Sequence, residues 1–385
     1  MKFGFGKKEK VKENVKKVKE SAEKIFEPDI QVMMLGARRV GKTSVLASLC
    51  NQFNAITEET NLTLTKGNGA KAIDDALNTM EDYFFGEHKD NEIIGALDTN
   101  ATSGFTEFDI KLTVTGKKNA RNIRFVDCAG EWINNYLNQE EINEKVEQSS
   151  IVVIAIDSVL LMEEDGKFNK QNCVKNVTNF IKENMQPEEN CNNTKMVLFV
   201  PLKCEKYYHQ HNDQQSRYFH RRMDDLNMRI KDKYSELLSY LTKDANKNFF
   251  TVAILPILTL GGIEFYDFND NVTESTKEVT SDMFEYCYCT PEGAIKPEFA
   301  PKYCEQPLLY ALMFENEKIE KGYYSNPKFF NAQGKKKVTG HIIEWIQDKR
   351  DLVKDTDYIK ELSKLEKKMI RKENGFEIIQ DPLGL

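Results

Sequence analysis

The sequence predicts an α/β fold: a doubly wound, mostly parallel sheet of six strands with one antiparallel edge strand. Continuous apolar runs such as 151–156, typical of strands buried on both faces, alternate with helical segments. An alternating strand at 105–115 is followed by a glycine turn and a returning strand, which predicts the antiparallel pair. A glycine-containing loop joins the first strand to the first helix.

The elements follow in a regular order along the 385 residues. We predict strands at 30–35, 105–115, 122–127, 151–156, 196–200 and 249–255, and helices at 43–53, 70–85, 139–148, 172–184, 215–241 and 306–321. Three parts follow from this order. A basic amphipathic helix occupies 1–27, the α/β domain spans 28–325 with insertions at about 54–98 and 256–304, and a charged helical tail occupies 326–385.

Composition limits the classes of function. The net charge of −7 gives no reason to expect nucleic-acid binding. No apolar run reaches the length of a transmembrane segment. The eight cysteines are scattered, mostly within apolar stretches, which favours reduced, buried thiols and a cytoplasmic location.

The loop after the first strand has the pattern G-x-x-x-x-G-K-T. In a strand–loop–helix context this pattern binds phosphate groups, because backbone amides and the positive end of the helix point at the anion. We expect Lys42 to reach the β and γ phosphates and Thr43 to ligate Mg²⁺. The predicted binding residues of the loop are Gly36, Ala37, Arg38, Arg39, Val40, Gly41, Lys42, Thr43 and Ser44.

Two further motifs lie at ends of predicted strands. Asp127 ends the returning strand, where its carboxylate can hold a Mg²⁺-bound water opposite Thr43, and Gly130 offers a backbone N–H to the γ-phosphate. Lys203 and Glu205 follow the strand at 196–200. There the lysine stem can cover a purine base while the carboxylate accepts hydrogen bonds from guanine; two surface charges on a loop is the alternative interpretation.

These motifs, in this strand order, resemble the translation-factor-related class of GTPases and its Ras-like G domain, over about residues 29–255. The resemblance implies a G domain that binds GTP and GDP with Mg²⁺ and switches between two states. It also implies a switch threonine on the metal: Thr102, with Thr99 and Thr106 as alternatives. The segment 200–207 and the later run 259–262 further resemble the double-GTPase families of bacterial conflict systems.

Several residues depart from the family pattern. Leu202 and Glu205 replace the usual polar residue and aspartate around Lys203, which leaves ATP open. Glu131 stands where many members carry a glutamine that orients water, so we expect slow turnover. Arg39, with Arg38 second, is predicted as an internal arginine finger, as at the equivalent loop position of large guanylate-binding GTPases; exposure to solvent or to a partner is the alternative.

The sequence therefore predicts a GTPase that acts as a molecular switch, with slow or partner-stimulated, Mg²⁺-dependent hydrolysis. Its insertions and terminal helices are expected to engage other proteins, and a homodimer through the nucleotide face or the N-terminal helix is a further expectation. Two alternatives stay open: a scaffold that binds nucleotide without hydrolysing it, and an ATP-using enzyme with the same loop.

Overall fold

The computed structural model describes most of the chain from residue 29 onward. The described residues are 29–85, 105–117, 120–130, 139–187, 194–208, 212–268, 286–290, 296–321 and 356–385. The predicted N-terminal helix at 1–27 lies outside them.

The strands within the described residues belong to one large sheet and one hairpin. In chain order they are β1 (Ile30–Leu35), β2 (Leu62–Lys66), β3 (Phe105–Val114), β4 (Ala120–Cys128), β5 (Ile151–Asp157), β6 (Lys195–Leu202), β7 (Phe250–Ile254), β8 (Glu264–Phe268), β9 (Tyr286–Cys289) and β10 (Glu377–Gln380).

Helices fill most of the connections between these strands. They are α1 (Lys42–Thr57), α2 (Ala70–Phe85), α3 (Gln139–Gln148), α4 (Ser158–Met162), α5 (Val174–Asn184), α6 (Glu205–Tyr208), α7 (Asn212–Lys233), α8 (Ser235–Thr242), α9 (Gln306–Glu320) and α10 (Thr356–Glu366). None of the helices in this part of the chain has the length and hydrophobicity that a membrane crossing requires.

The sheet has eight strands in the order β10-β7-β6-β5-β1-β4-β3-β2, and β8 pairs separately with β9. Five adjacent strands, β7, β6, β5, β1 and β4, pair in parallel. At the two sides of this group, β3 pairs antiparallel with β4, β2 with β3, and β10 with β7. The α/β prediction therefore agrees with the structure, but the predicted count of six strands is wrong. Both extra strands are short edge strands, one in the insertion at 54–98 and one in the tail expected to be helical.

The alternation of side chains along β1 shows how the core is divided. Ile30, Val32 and Met34 pack on one face of the sheet with α1, α2, α9 and α10. Met33 and Leu35 pack on the other face with α3, α5, α7 and α8. Helices thus cover both faces, which buries the central strands completely and explains their continuous apolar sequences.

The chain crosses over β1 between β4 and β5, so β1 lies at the point where the strand order reverses. In open α/β sheets the crevice at the carboxyl ends of the strands next to such a point is the usual ligand site. The predicted phosphate loop follows β1 directly and occupies this crevice.

A buried lysine joins the amino ends of the parallel strands, opposite the crevice, to the end of a helix. Lys195, at the start of β6, is 4% exposed. Its Nζ donates to the carbonyl oxygens of Val146 at 2.8 Å, Glu147 at 3.3 Å and Ser149 at 2.8 Å. The ammonium group therefore satisfies the carbonyls at the C-terminus of α3 and lies favourably in the field of the helix dipole.

Candidate nucleotide-binding site

The loop from Gly36 to Gly41 turns through backbone conformations that favour glycine. Gly36 has φ +150° and Gly41 φ +110°. A Cβ at Gly36 would lie 2.7 Å from the carbonyl oxygen of Ala155 on β5, closer than side-chain atoms approach. Gly41 immediately precedes α1 and accepts the hydrogen bond from the Val45 N–H, at 3.0 Å, that starts the helix. The loop therefore wraps the N-terminus of α1, as phosphate binding requires.

The side chain of Lys42 curls back over this loop. Its Nζ donates to the carbonyl oxygens of Gly36 and Ala37, both at 3.2 Å, and lies 3.7 Å from the carboxylate of Asp127. Lys42 is only 5% exposed. The ammonium group is thus held in the curve of the loop, beside the carboxylate at the end of β4.

Thr43 and Asp127 meet across the same crevice. The Thr43 hydroxyl donates to Asp127 Oδ2 at 3.1 Å, and the Asp127 carboxylate is fully buried. Hydroxyl and carboxylate oxygens are hard donors, so this set fits Mg²⁺, which takes few protein ligands alongside waters and phosphate oxygens. Within the described residues no group of three or more His, Cys, Asp or Glu side chains could hold a metal by itself.

Gly130 lies directly against the phosphate loop. A Cβ built at Gly130 would be 2.4 Å from the Arg38 nitrogen, 2.6 Å from the Ala37 carbonyl carbon and 2.9 Å from the Gly36 oxygen. Only a glycine permits this approach of the two backbones. The structure therefore brings the segment from Asp127 to Gly130 against the loop.

The remaining loop residues differ in exposure. Ala37 and Val40 are buried, Arg38 and Ser44 are half-buried, and Arg39 is exposed with φ +60°. A left-handed backbone at a non-glycine residue is uncommon and marks a constrained turn. Arg39 thus lies on the outer surface of the loop, and its role as an arginine finger stays a prediction.

Three of the predicted residues, Glu131, Thr102 and Thr99, lie outside the described residues. The third threonine, Thr106, is in β3 and is the register partner of Asp127 in β4. It is half-buried. Of the three predicted switch threonines, Thr106 is the one within the described residues, and strand pairing places it beside Asp127.

Lys203 lies at the carboxyl end of β6, with φ +58°. Its Nζ forms an ion pair with Asp157 Oδ2 at 2.5 Å and lies 3.8 Å from the ring centroid of Tyr286. Asp157 ends β5 and Tyr286 begins β9, and neither was among the predicted site residues. The position of Asp157 at the end of a buried strand was a usable signal, as it was for Asp127; Tyr286 lies in an irregular insertion that carried none.

Glu205 begins α6 and contacts the loop that follows β7. It is 3% exposed, and its Oε1 accepts from the backbone N–H groups of Leu260 at 2.9 Å and Gly261 at 3.3 Å. The carboxylate thus fixes the loop at 259–262 that follows β7. Contact between Glu205 and a guanine base stays a prediction.

Burial raises the pKa values of two weakly acidic groups, one on β4 and one on β9. Burial raises the pKa of the Cys128 thiol to about 12, although the nearby ammonium of Lys42 acts to lower it. Burial, together with the charge of Asp157, raises the pKa of the Tyr286 hydroxyl well above its usual value. Both groups are therefore neutral at physiological pH, and Tyr286 can act as a hydrogen-bond donor.

Comparison with known proteins gives little beyond this geometry. No protein-family model matches the chain, and no curated protein matches it. The crystal structure of the S. cerevisiae Ski7 GTPase-like domain bound to GDP and inorganic phosphate is 17% identical, with a TM-score of 0.31, over 65% of this chain and 47% of that one. The same domain bound to GTP is 15% identical, with a TM-score of 0.34, over 78% of this chain and 51% of that one.

The chain therefore spans about half the length of these two relatives. TM-scores this low support no inference about function, so the case for nucleotide binding depends on the contacts around Lys42 and Asp127. Because no family model matches, the resemblance to the double-GTPase families also stays a prediction.

Proposed function

We propose that this protein is a GTP-binding switch that hydrolyses GTP slowly in the presence of Mg²⁺. One observation carries the proposal: the ammonium of Lys42, the hydroxyl of Thr43 and the carboxylate of Asp127 meet at the glycine loop before α1. A buried lysine, a buried carboxylate and a ring of backbone amides are the groups that a magnesium triphosphate needs.

Each group has a distinct task in this proposal. The loop amides and Lys42 bind the β and γ phosphates. Thr43 would ligate Mg²⁺ and Asp127 would hold one of its waters; the ion would neutralise charge on the phosphate oxygens. Gly130, because it approaches the loop so closely, brings its backbone amide next to the γ-phosphate.

Turnover in the proposed site depends on Glu131 and the loop arginines. A carboxylate at 131 can accept a hydrogen bond from the attacking water but adds negative charge beside the phosphoryl group. An arginine that stabilises the transferring group accelerates such reactions by about 10³–10⁵-fold. We expect single-turnover hydrolysis to be slow in the wild type, slower in Arg39→Ala, and altered in Glu131→Ala; fast hydrolysis that neither change affects would rule these roles out.

Two alternatives have their own support. Glu131 favours a scaffold that binds nucleotide without hydrolysing it. The contacts of Glu205 with the amides of Leu260 and Gly261 favour weaker guanine selectivity, and hence ATP use. Binding of fluorescent GTP and ATP at equilibrium, followed by phosphate release, separates the three functions.

The matched variants for this experiment are Lys42→Ala and Lys247→Ala. Lys247 is exposed and pairs only locally with Asp244 among the contacts of the described residues. We expect Lys42→Ala to abolish GTP binding and Lys247→Ala to leave it unchanged. If wild type and Lys42→Ala are alike in failing to bind any nucleoside triphosphate, the proposed function is wrong.

The switch would act through other proteins in the cytoplasm. The insertions at 54–98 and 256–304 and the terminal segments are the proposed contact regions, and self-association through the nucleotide face is a further proposal. Light scattering of the protein with GDP and with a non-hydrolysable GTP analogue tests the last point. Equal mass in both states would exclude nucleotide-dependent dimerisation.

A further inference from the structure

Asp157 is fixed from several directions at the carboxyl end of β5. It is 2% exposed, and its Oδ1 accepts from the Leu160 backbone N–H at 3.1 Å, which caps helix α4. Its own backbone N–H donates to Asn172 Oδ1 at 2.8 Å. The second carboxylate oxygen is therefore held in one direction, along the carboxyl ends of β5 and β6.

That second oxygen holds two side chains at once. Asp157 Oδ2 accepts from Lys203 Nζ at 2.5 Å and from the Tyr286 hydroxyl at 2.9 Å. The Tyr286 ring also lies on the ammonium group, with 3.8 Å between Nζ and the ring centroid. Asp157, Lys203 and Tyr286 form a closed group, called here the Asp157 cluster.

The cluster sets the direction of the lysine stem. Lys203 follows β6, whereas its ammonium is held at the end of β5, the neighbouring strand. The methylene groups of Lys203 must therefore run along the sheet edge between the two strands. A purine base that binds on this edge needs an apolar surface of this kind, whose position would be lost if the ammonium were released.

The hairpin β8–β9 is what supplies Tyr286 to this edge. Within the hairpin, the ring centroid of Phe268 lies 5.7 Å from that of Tyr286, and it also lies 5.2 Å from that of Phe168, which precedes α5. Lys206 Nζ also lies 5.1 Å from the Phe265 ring. The ring of Tyr286 is thus placed by a packed element.

We propose that Asp157 and Tyr286 are positioning residues that hold Lys203 against the purine base, so that the β8–β9 hairpin forms part of the base side of the site. This rests on the proposed function, because it assigns the base contact of the same nucleotide. The chemistry predicts selectivity for purine over pyrimidine triphosphates, since the larger ring system covers more of the lysine stem.

The test separates base binding from phosphate binding. Affinities of GTP, UTP and inorganic tripolyphosphate are measured for wild type, Tyr286→Phe, Asp157→Asn and Tyr266→Phe. Tyr286→Phe keeps the ring and removes only the hydroxyl, whereas Tyr266, on the same hairpin, is 58% exposed and serves as the control. Thermal unfolding of each variant verifies that it is folded.

We expect Tyr286→Phe to weaken GTP binding by about three- to tenfold, because a less firmly held Lys203 side chain must be ordered when the base binds. Asp157→Asn should weaken it at least as much. Both should leave tripolyphosphate affinity unchanged and reduce the preference for GTP over UTP; Tyr266→Phe should change none of these. If Asp157→Asn does not fold, Tyr286→Phe decides alone.

Three results would overturn the inference while the proposed function stands. The first is an equal loss of affinity for GTP and tripolyphosphate in Tyr286→Phe, and the second is no loss at all. The third is tighter GTP binding, which would mean that the Tyr286 ring shields Lys203 from the base. Wild-type protein that binds neither GTP nor tripolyphosphate would overturn the proposed function and this inference together.

Discussion

The hydroxyl of Thr43 donates a hydrogen bond to Asp127, 84 positions later in the chain, at 3.1 Å. The contact joins the first turn of α1 to the end of β4, and parallel pairing of β4 with β1 brings the two together. The ammonium of Lys42 lies 3.7 Å from the other carboxylate oxygen, Asp127 Oδ1. The hydroxyl, the carboxylate and the ammonium group are therefore brought together at the end of β4.

Replacement of Asp127 by asparagine should raise the Mg²⁺ concentration that nucleotide binding requires. The substitution keeps the size of the side chain but removes the negative charge that orients a metal-bound water. Loss of such a group costs about 10–100-fold in metal affinity. Titration of Mg²⁺ against the GTP-induced shift in Tm measures this, with the exposed Asp244→Asn as control; an unchanged Mg²⁺ midpoint would contradict it.

Replacement of Gly130 by alanine should displace the phosphate loop. The new Cβ would lie 2.4 Å from the Arg38 nitrogen, so one of the two backbones must move. We expect a loss of about 1–3 kcal/mol in the free energy of unfolding, with weaker GTP binding. Gly116→Ala is the matched control, because a Cβ there meets nothing within 4 Å and changes only backbone strain at φ +81°. Equal GTP affinities in both variants would exclude the steric explanation.

Replacement of Glu361 by glutamine should destabilise the attachment of α10. The carboxylate of Glu361 is 2% exposed and accepts from the backbone N–H of Asn61 at 2.8 Å and from Lys364 at 2.8 Å. Weakening these charge-assisted bonds should cost about 1–3 kcal/mol. Urea unfolding measures the change. The exposed pair of Glu366 with Arg371 is the comparison, and Glu366→Gln should cost less than about 1 kcal/mol.

Replacement of Glu305 by glutamine should stabilise the protein at neutral pH. Burial raises the pKa of the Glu305 carboxyl above its usual value, and this effect outweighs the hydrogen bond from Gln306, which lowers the pKa. Because the folded state holds the proton more tightly, the free energy of unfolding decreases as pH rises from about 4.3, the unfolded pKa, through the raised folded pKa. Glutamine carries no charge and avoids this penalty.

Urea unfolding between pH 4.5 and 7.5 tests the Glu305 prediction. The difference between Glu305→Gln and wild type should be largest at pH 7 and shrink towards pH 4.5. The exposed Glu320→Gln controls for the loss of one negative charge. A Glu305→Gln protein that is less stable than wild type at pH 7 would contradict the prediction.

The sequence predicts those parts of the fold whose local residue patterns have few structural alternatives. The loop residues from Gly36 to Thr43 and the apolar run of β5 predicted the centre of the fold, because buried parallel strands and phosphate loops have few alternatives. The edge strands were missed for a physical reason. β2 has only Leu62 and Leu64 as inward residues, and the four residues of β10 are all half-buried, so neither shows the apolar signal of a central strand.

Contacts between residues far apart in the chain are the second feature that the sequence does not predict. The pairing of Asp157 with Tyr286 joins residues 129 positions apart, and no local pattern encodes it. The position of Glu205 likewise depends on the amides at 260 and 261, which only the folded sheet brings near. The helix predicted at 215–241 also stops and restarts at Tyr234, whose ring is buried against Phe199.

The three carbonyl contacts of Lys195 have a practical consequence. An amine locked in this way cannot be acylated by succinimidyl esters while the sheet and α3 stay assembled, whereas surface lysines such as Lys247 react at once. Mass-spectrometric labelling of Lys195 during a denaturant series would therefore record the separation of α3 from the sheet, and labelling of the surface lysines would serve as its internal standard.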